Sequence, residues 1–126
     1  MKLGIVGSRQ RCSKEDWELL FKRVVELKPS MIISGGCAVG ADNFAEEFAR
    51  KLGIPITIFY PRLGEKRWVL SQQEIVKLMY ARNKQIAWES DYLIALVAPN
   101  RRGGTENTIK HFKERRFNWR SLLEIL

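Results

Sequence analysis

The stretch Met31-Ile32-Ile33-Ser34-Gly35-Gly36-Cys37-Ala38-Val39-Gly40-Ala41-Asp42 most narrows the folds open to this chain. It begins with an apolar run short enough for one buried strand and breaks at two glycines. After Gly40 the spacing turns helical, with Phe44, Ala45, Phe48, Ala49 and Leu52 on one face. A strand, a glycine turn and a helix start therefore follow one another. A helix N-terminus leaves amides unpaired and carries partial positive charge, so an anion is stabilised there, and glycine lets a ligand come close to the backbone. The spacing G-G-x-x-x-G is neither the dinucleotide fingerprint nor a Walker loop, so alone it suits a plain connection as well as a ligand loop. Asp42 in the first helical turn opposes a phosphate unless it caps the helix or holds a ribose hydroxyl.

The rest of the chain repeats this alternation. Leu3 to Val6 is an apolar run ended by Gly7-Ser8-Arg9. Ser13 with Asp16 is a capping signal for a helix whose face carries Trp17, Leu20, Phe21, Val24 and Val25, and Pro29 stops it. Gly53 closes the helix that follows Gly40, and Ile54 to Tyr60 reads as a third strand ended by Pro61. Arg62 to Val69, with Gly64 and Trp68, reads as a basic connection that can form a flap. From Ser71 to about Trp88 the pattern is helical, with Ile75, Leu78, Met79, Arg82 and Ile86 on one flank. Tyr92 to Ala98 reads as a buried strand. The loop Pro99 to Thr105 leads into a helix from Glu106 to about Arg116, with Thr105 as its expected N-cap, and Ser121 to Leu126 reads as an edge strand rather than a helical tail. The alternation predicts a three-layer, Rossmann-like α/β fold: an open, mostly parallel sheet of about five strands with helices on both faces, residues 1–126 forming one domain.

Charge and cysteine content narrow the partners. The formal charge of +8, from 22 Lys and Arg against 14 Asp and Glu, favours polyanions and nucleotides, although a solvated basic surface accounts for it equally well. Cys12 and Cys37 make neither a disulfide framework nor a metal motif, and Cys37 reads as a small filler of the glycine loop. The lone His111 reads as a surface residue, and no metal site is expected. No apolar run approaches the roughly 18 residues that span a bilayer, and no signal-peptide core follows the start, so a cytoplasmic protein without a membrane partner is expected.

In such a sheet the loops at the carboxyl ends of the strands share one rim. That rim gathers Gly7, Ser8 and Arg9, then Gly35, Gly36, Gly40 and Asp42, then Gly103, Gly104 and Thr105 with Arg101 and Arg102, and the long helix adds Arg82 and Asn83. Glycine-rich backbone at helix starts beside guanidinium groups suits a nucleotide phosphate and ribose.

The ordered set Gly7-Ser8-Arg9, Ser34-Gly35-Gly36-x-x-x-Gly40-Ala41-Asp42, Arg82-Asn83, Asp91 before an apolar strand and Gly104-Thr105 resembles the SLOG superfamily over residues 2 to about 112. That group joins the DNA-processing protein A (Smf) family, the Lonely Guy phosphoribohydrolases and the YspA-like proteins. G-S-R with G-A-D looks most like the YspA branch, which implies binding of a nucleotide or nucleotide derivative. Arg82-Asn83-Lys84-Gln85-Ile86-Ala87 resembles the R-N-R-x-I-A of DNA-processing protein A, which implies single-stranded DNA or RNA as an alternative partner. The phosphoribohydrolases use a helix Arg, matched by Arg82, and the Glu of P-G-G-x-G-T-x-x-E. Here the Glu position is Thr108 and Glu106 lies two residues away, so the catalytic set is incomplete. A carboxylate is needed to stabilise an oxocarbenium-like centre or to activate water. The resemblance also implies a homodimer, for which the helices carrying Trp17 and Trp88 offer faces. Trp68 is a candidate for stacking a base.

Overall fold

The computed structural model describes residues 1–63 and 67–126. The chain alternates strand and helix: β1 (Lys2–Gly7), α1 (Lys14–Leu27), β2 (Met31–Ser34), α2 (Ala41–Leu52), β3 (Ile56–Ile58), α3 (Gln72–Glu89), β4 (Tyr92–Leu96), α4 (Gly104–Glu114) and β5 (Leu123–Ile125). Short 3-10 turns at Arg67–Val69 and Trp119–Ser121 precede α3 and β5. All four strand pairings are parallel, in the order β3-β2-β1-β4-β5. This is the expected Rossmann-like open sheet.

Strand alternation divides the apolar side chains between two helical layers. Leu3, Ile5, Ile32, Ile94 and Leu96 face α1 and α2, where Leu20, Val24, Phe44 and Phe48 meet them. Val6, Ile33, Leu93 and Ala95 face α3 and α4, where Ile86, Ala87, Ile109 and Phe112 close the other core. Phe48 and Phe112 are both fully buried, and truncating either to Ala removes about 3–5 kcal/mol of core packing.

Local chemistry explains where the helices begin and end. Ser13 and Asp16 form a reciprocal capping box, with Asp16 N donating to Ser13 Oγ at 3.1 Å. Helix α1 ends on Lys28, which takes the left-handed conformation at φ 48° immediately before Pro29. Helix α2 ends on Gly53 in the same conformation.

The structure differs from the sequence reading in several places. Val25 and Leu52 lie on the expected apolar faces yet are exposed, at the margins of the buried stripes that Leu20, Val24, Phe48 and Ala49 form. Strand β3 keeps only the Ile56–Ile58 core of the expected run, since β2, its neighbour, pairs no further than Ser34. The amino-terminal half of α3 has no fully buried residue; burial begins at Asn83, where the helix first lies over the sheet. Of the edge strand expected over Ser121 to Leu126, Leu123–Ile125 pairs in parallel with β4, while Ser121 belongs to the 3-10 turn before it. Residues 64–66 of the expected flap, Gly64 included, lie outside the described residues.

Trp17 does not offer a free face for self-association. It stacks on Phe21 at 4.8 Å and meets Phe48 edge-on at 5.3 Å, and its Nε1 donates to Glu47, so its ring is spent on joining α1 to α2.

Candidate functional site

The carboxyl ends of β1 and β4 lead into loops that a run of close backbone approaches holds together. Ser8 N donates to Leu96 O at 2.8 Å, which ties the β1 loop to β4. The Ser8 carbonyl and hydroxyl then accept from the amides of Arg11 (3.0 Å) and Gln10 (3.1 Å), forming a tight turn that leaves Arg9 exposed. Gly7 is required here, because a Cβ on it would stand 2.7 Å from Ala41 Cβ and 2.9 Å from Leu96 Cβ. Gly40 has φ 84°, and a Cβ on it would meet Ser8 O at 3.0 Å. These two glycines let α2 begin directly against the β1 loop.

Asp42 and Arg82 converge over Gly35. A Cβ at Gly35 would lie 2.8 Å from Arg82 Nη1 and 3.0 Å from Asp42 Oδ2, so a side chain there would have to displace the end of Arg82. Asp42 Oδ2 accepts from Cys37 N at 3.0 Å, which folds the glycine loop back onto α2. Burial pushes the Asp42 carboxyl above its ordinary value of 3.8, against the opposing pull of the Cys37 amide, the Arg82 charge, the Ser34 hydroxyl and the Gly35 amide. Arg82 Nη1 donates to Gly35 O at 2.6 Å and to Phe59 O at 3.3 Å, and its Nε donates to Asn83 Oδ1 at 3.0 Å. Burial depresses the Arg82 guanidinium, and the Asp42 charge offsets part of that. The Nη2 group makes no hydrogen bond among the described residues.

Asn83 continues the network to α4, donating from Nδ2 to Gly104 O and to Asn107 Oδ1, both at 3.3 Å. Helix α4 starts two residues earlier than expected. Gly103, at φ 110°, is its N-cap, no side chain caps it, and Thr105 stands inside the first turn instead of capping it. The first intrahelical bond runs from Asn107 N to Gly103 O, so the amides of Gly104, Thr105 and Glu106 precede it and have no partner within the helix. Open backbone of this kind attracts negative charge.

Gly7, Ser8, Arg9, Asp42, Arg82, Asn83, Gly103, Gly104 and Thr105 all line one cavity of about 520 Å³, within the usual range for small-molecule sites. Gly35, Gly36 and Gly40 do not line it. Gly36, at φ 74°, is covered by Tyr60 and Ile58, and a Cβ there would meet Tyr60 Cε1 at 2.5 Å. The glycine turn therefore builds the wall from behind, with Arg82 pinning it, while the open helix start belongs to α4. The cavity also takes in Arg102 from the predicted rim, and Val6, Cys37, Val76, Met79, Tyr80 and Ile86, which sequence reasoning had not placed among the site residues. Val76, Met79 and Tyr80 come from the overhanging half of α3, so Met79, expected on one apolar flank with Ile75 and Leu78, forms part of a cavity wall. Arg102 makes no side-chain ion pair among the described residues, whereas Arg101 is held by Glu106 at 2.9 Å.

Thr108, at the phosphoribohydrolase Glu position, is buried, and its Oγ1 donates to Gly104 O at 3.2 Å. Glu106 is turned to Arg101. Asp42 is the carboxylate in the described cavity wall. A smaller cavity of about 240 Å³ lies on the other flank of α3, against Tyr60, Arg62 and the opposite side of Arg82.

A Rossmann-like α/β sheet with a crevice along the carboxyl ends of its strands defines the structural class. DNA processing protein A from Streptococcus pneumoniae shares that fold, with a TM-score of 0.70 at 19% sequence identity. The superposition covers 99% of this chain and 58% of that one, so this chain spans a little over half the length of its structural neighbour. No protein-family model matches the sequence, and no curated protein sequence matches it. No helix among the described residues is long and apolar enough to cross a membrane.

Proposed function

We propose that the crevice binds a nucleotide or nucleotide derivative, with phosphate over the α4 N-terminus between Arg9 and Arg102 and the apolar wall of Val76, Met79 and Tyr80 receiving the base. The observation that carries this reading is the meeting of cationic loops, an uncapped helix start and an apolar wall in one cavity of about 520 Å³. Asp42 has the chemistry to accept from a ribose hydroxyl, which would relieve some of its burial cost. On this reading the chain is a member of the YspA-like branch of the SLOG superfamily, and its two free cysteines suit a reducing cytoplasm.

A thermal-shift screen of nucleoside mono-, di- and triphosphates, cyclic dinucleotides and dinucleotide cofactors tests the proposal. A ligand present at 100 times its Kd stabilises by about 2.7 kcal/mol, equivalent to roughly 10 °C for a chain of this size. Arg102→Ala should abolish that shift without lowering the melting temperature of the free protein. A screen in which no nucleotide raises the melting temperature would overturn the reading.

The segment Arg82-Asn83-Lys84 gives little support to binding a nucleic-acid strand along α3. Arg82 and Asn83 turn inward to the crevice network, and Lys84 Nζ lies 4.3 Å from the Trp88 ring centre instead of forming an open basic stripe.

A further inference from the structure

We propose that the smaller cavity, of about 240 Å³ between α3 and the loop after β3, binds a small aromatic carboxylate. It is separate from the crevice apart from Arg82, which lines both, and the proposal does not depend on what the crevice holds.

On α3 the wall is Leu78, Ala81, Arg82 and Gln85. That spacing of three, four and seven residues sets all four on one helical stripe, the kind an amphipathic helix ordinarily buries against its own domain. Here the stripe faces Tyr60 and Arg62 across a cavity instead.

Two guanidinium groups line this cavity and, among the described residues, no carboxylate does. Arg82 spends Nε on Asn83 and Nη1 on Gly35 O and Phe59 O, so Nη2 is the donor it has left. Arg62 is exposed, and its side chain makes no ion pair or hydrogen bond among the described residues. The Tyr60 hydroxyl and the Gln85 amide have no partner among them either. Elsewhere Arg11, Arg23 and Arg101 are each matched to a carboxylate.

These groups define the guest. Two cations without a counter-charge call for an anion. The volume falls below the roughly 300–1,000 Å³ of sites that take drug-sized ligands, so the guest is smaller than a nucleotide. Tyr60 is 61% exposed and offers a ring face, and Leu78 and Ala81 add apolar surface, so the anion carries a flat apolar body. A carboxylate gives one oxygen to each guanidinium. A phosphate dianion would set further oxygens against Leu78 and Ala81 and lose their hydration.

Chemical-shift titration of the isotope-labelled intact chain with benzoate tests this, with acetate and inorganic phosphate as comparison anions. Saturable binding of benzoate with a Kd below about 1 mM is expected, shifting the amides of Tyr60, Leu78 and Gln85. Acetate should bind at least about tenfold more weakly for want of a ring. Arg62→Gln should weaken benzoate binding about fivefold through the lost charge, and because Arg62 is exposed the core stays intact. Gln85→Glu should weaken it about tenfold by setting a like charge beside the carboxylate. Arg102→Gln removes one charge from the crevice instead, and its effect should stay within about twofold. Absence of saturable binding, acetate or phosphate binding as tightly as benzoate, or affinity unmoved by both Arg62→Gln and Gln85→Glu would each overturn the proposal. Weakening by Arg102→Gln as large as that by Arg62→Gln would also overturn it, assigning benzoate to the crevice.

Discussion

Glu124 on β5 and Asp42 on α2 are both carboxylates set near an arginine from another element, and their surroundings act on them in opposite directions. Glu124 receives Arg23 Nε at 2.7 Å and Nη2 at 2.6 Å, and Tyr92 donates its hydroxyl at 2.6 Å. The Arg23 hydrogen bonds hold the Glu124 carboxyl below its ordinary value of 4.5, and with Tyr92 they outweigh the cost of burial. Asp42 sits deeper, and the Arg82 guanidinium gives its hydrogen bonds to Gly35 O and Phe59 O, not to the carboxylate. Burial therefore wins and Asp42 is pushed up. The edge of the sheet matches its charges within the protein. The crevice leaves a carboxylate and a guanidinium under-compensated, as binding sites commonly do.

Three substitutions break or sharpen that contrast. The largest effect is expected at Gly7→Ala, which drives a methyl group against Ala41 and Leu96 and should cost about 3 kcal/mol in urea unfolding. A neutral result would mean that the crevice floor is not set by close backbone approach.

Next is Glu124→Gln, expected to cost about 1.5 kcal/mol at pH 7 because it weakens two charge-assisted bonds at a partly buried pair. The contribution of Glu124 is full above its unfolded value near 4.5 and is lost as pH falls through the lower folded value. The variant should therefore show a shallower acid limb in a series of melts across pH.

The smallest effect, of opposite sign, is expected at Asp42→Asn. Its raised folded pKa means that the favourable contribution of the carboxyl is full below 3.8 and is lost as pH rises through the folded value. The variant keeps an acceptor for the Cys37 amide, so it should gain on the wild type with rising pH and be more stable by up to about 1 kcal/mol at pH 7. Destabilisation at pH 7 would show that Arg82 compensates the charge after all.

Much of the fold was legible in the sequence because its signals are local. Ser13 and Asp16 marked the start of α1, the Met31–Ser34 run and its glycines marked the β2 turn, and alternation implied a parallel sheet. The residues of the rim were legible too, since in such a sheet the strand ends must meet along one edge. Less legible was which groups face the cavity. Met79 has the spacing of a core residue, and only the overhang of α3 beyond the sheet turns it into a wall. Thr105 looks like an N-cap, but Gly103 adopts a positive φ and takes that position.

By itself the sequence determined the order of elements, their periodicity and the glycines that permit close approach, all of which depend on neighbours within a few residues. Only tertiary structure decided that Arg82 pins Gly35, that Asp42 is partly buried without a direct ion pair, and that Trp17 faces inward while Trp88 and Trp119 carry cations at the surface. Burial and partner choice are set by residues distant in the chain, and no local pattern encodes how much water a side chain keeps.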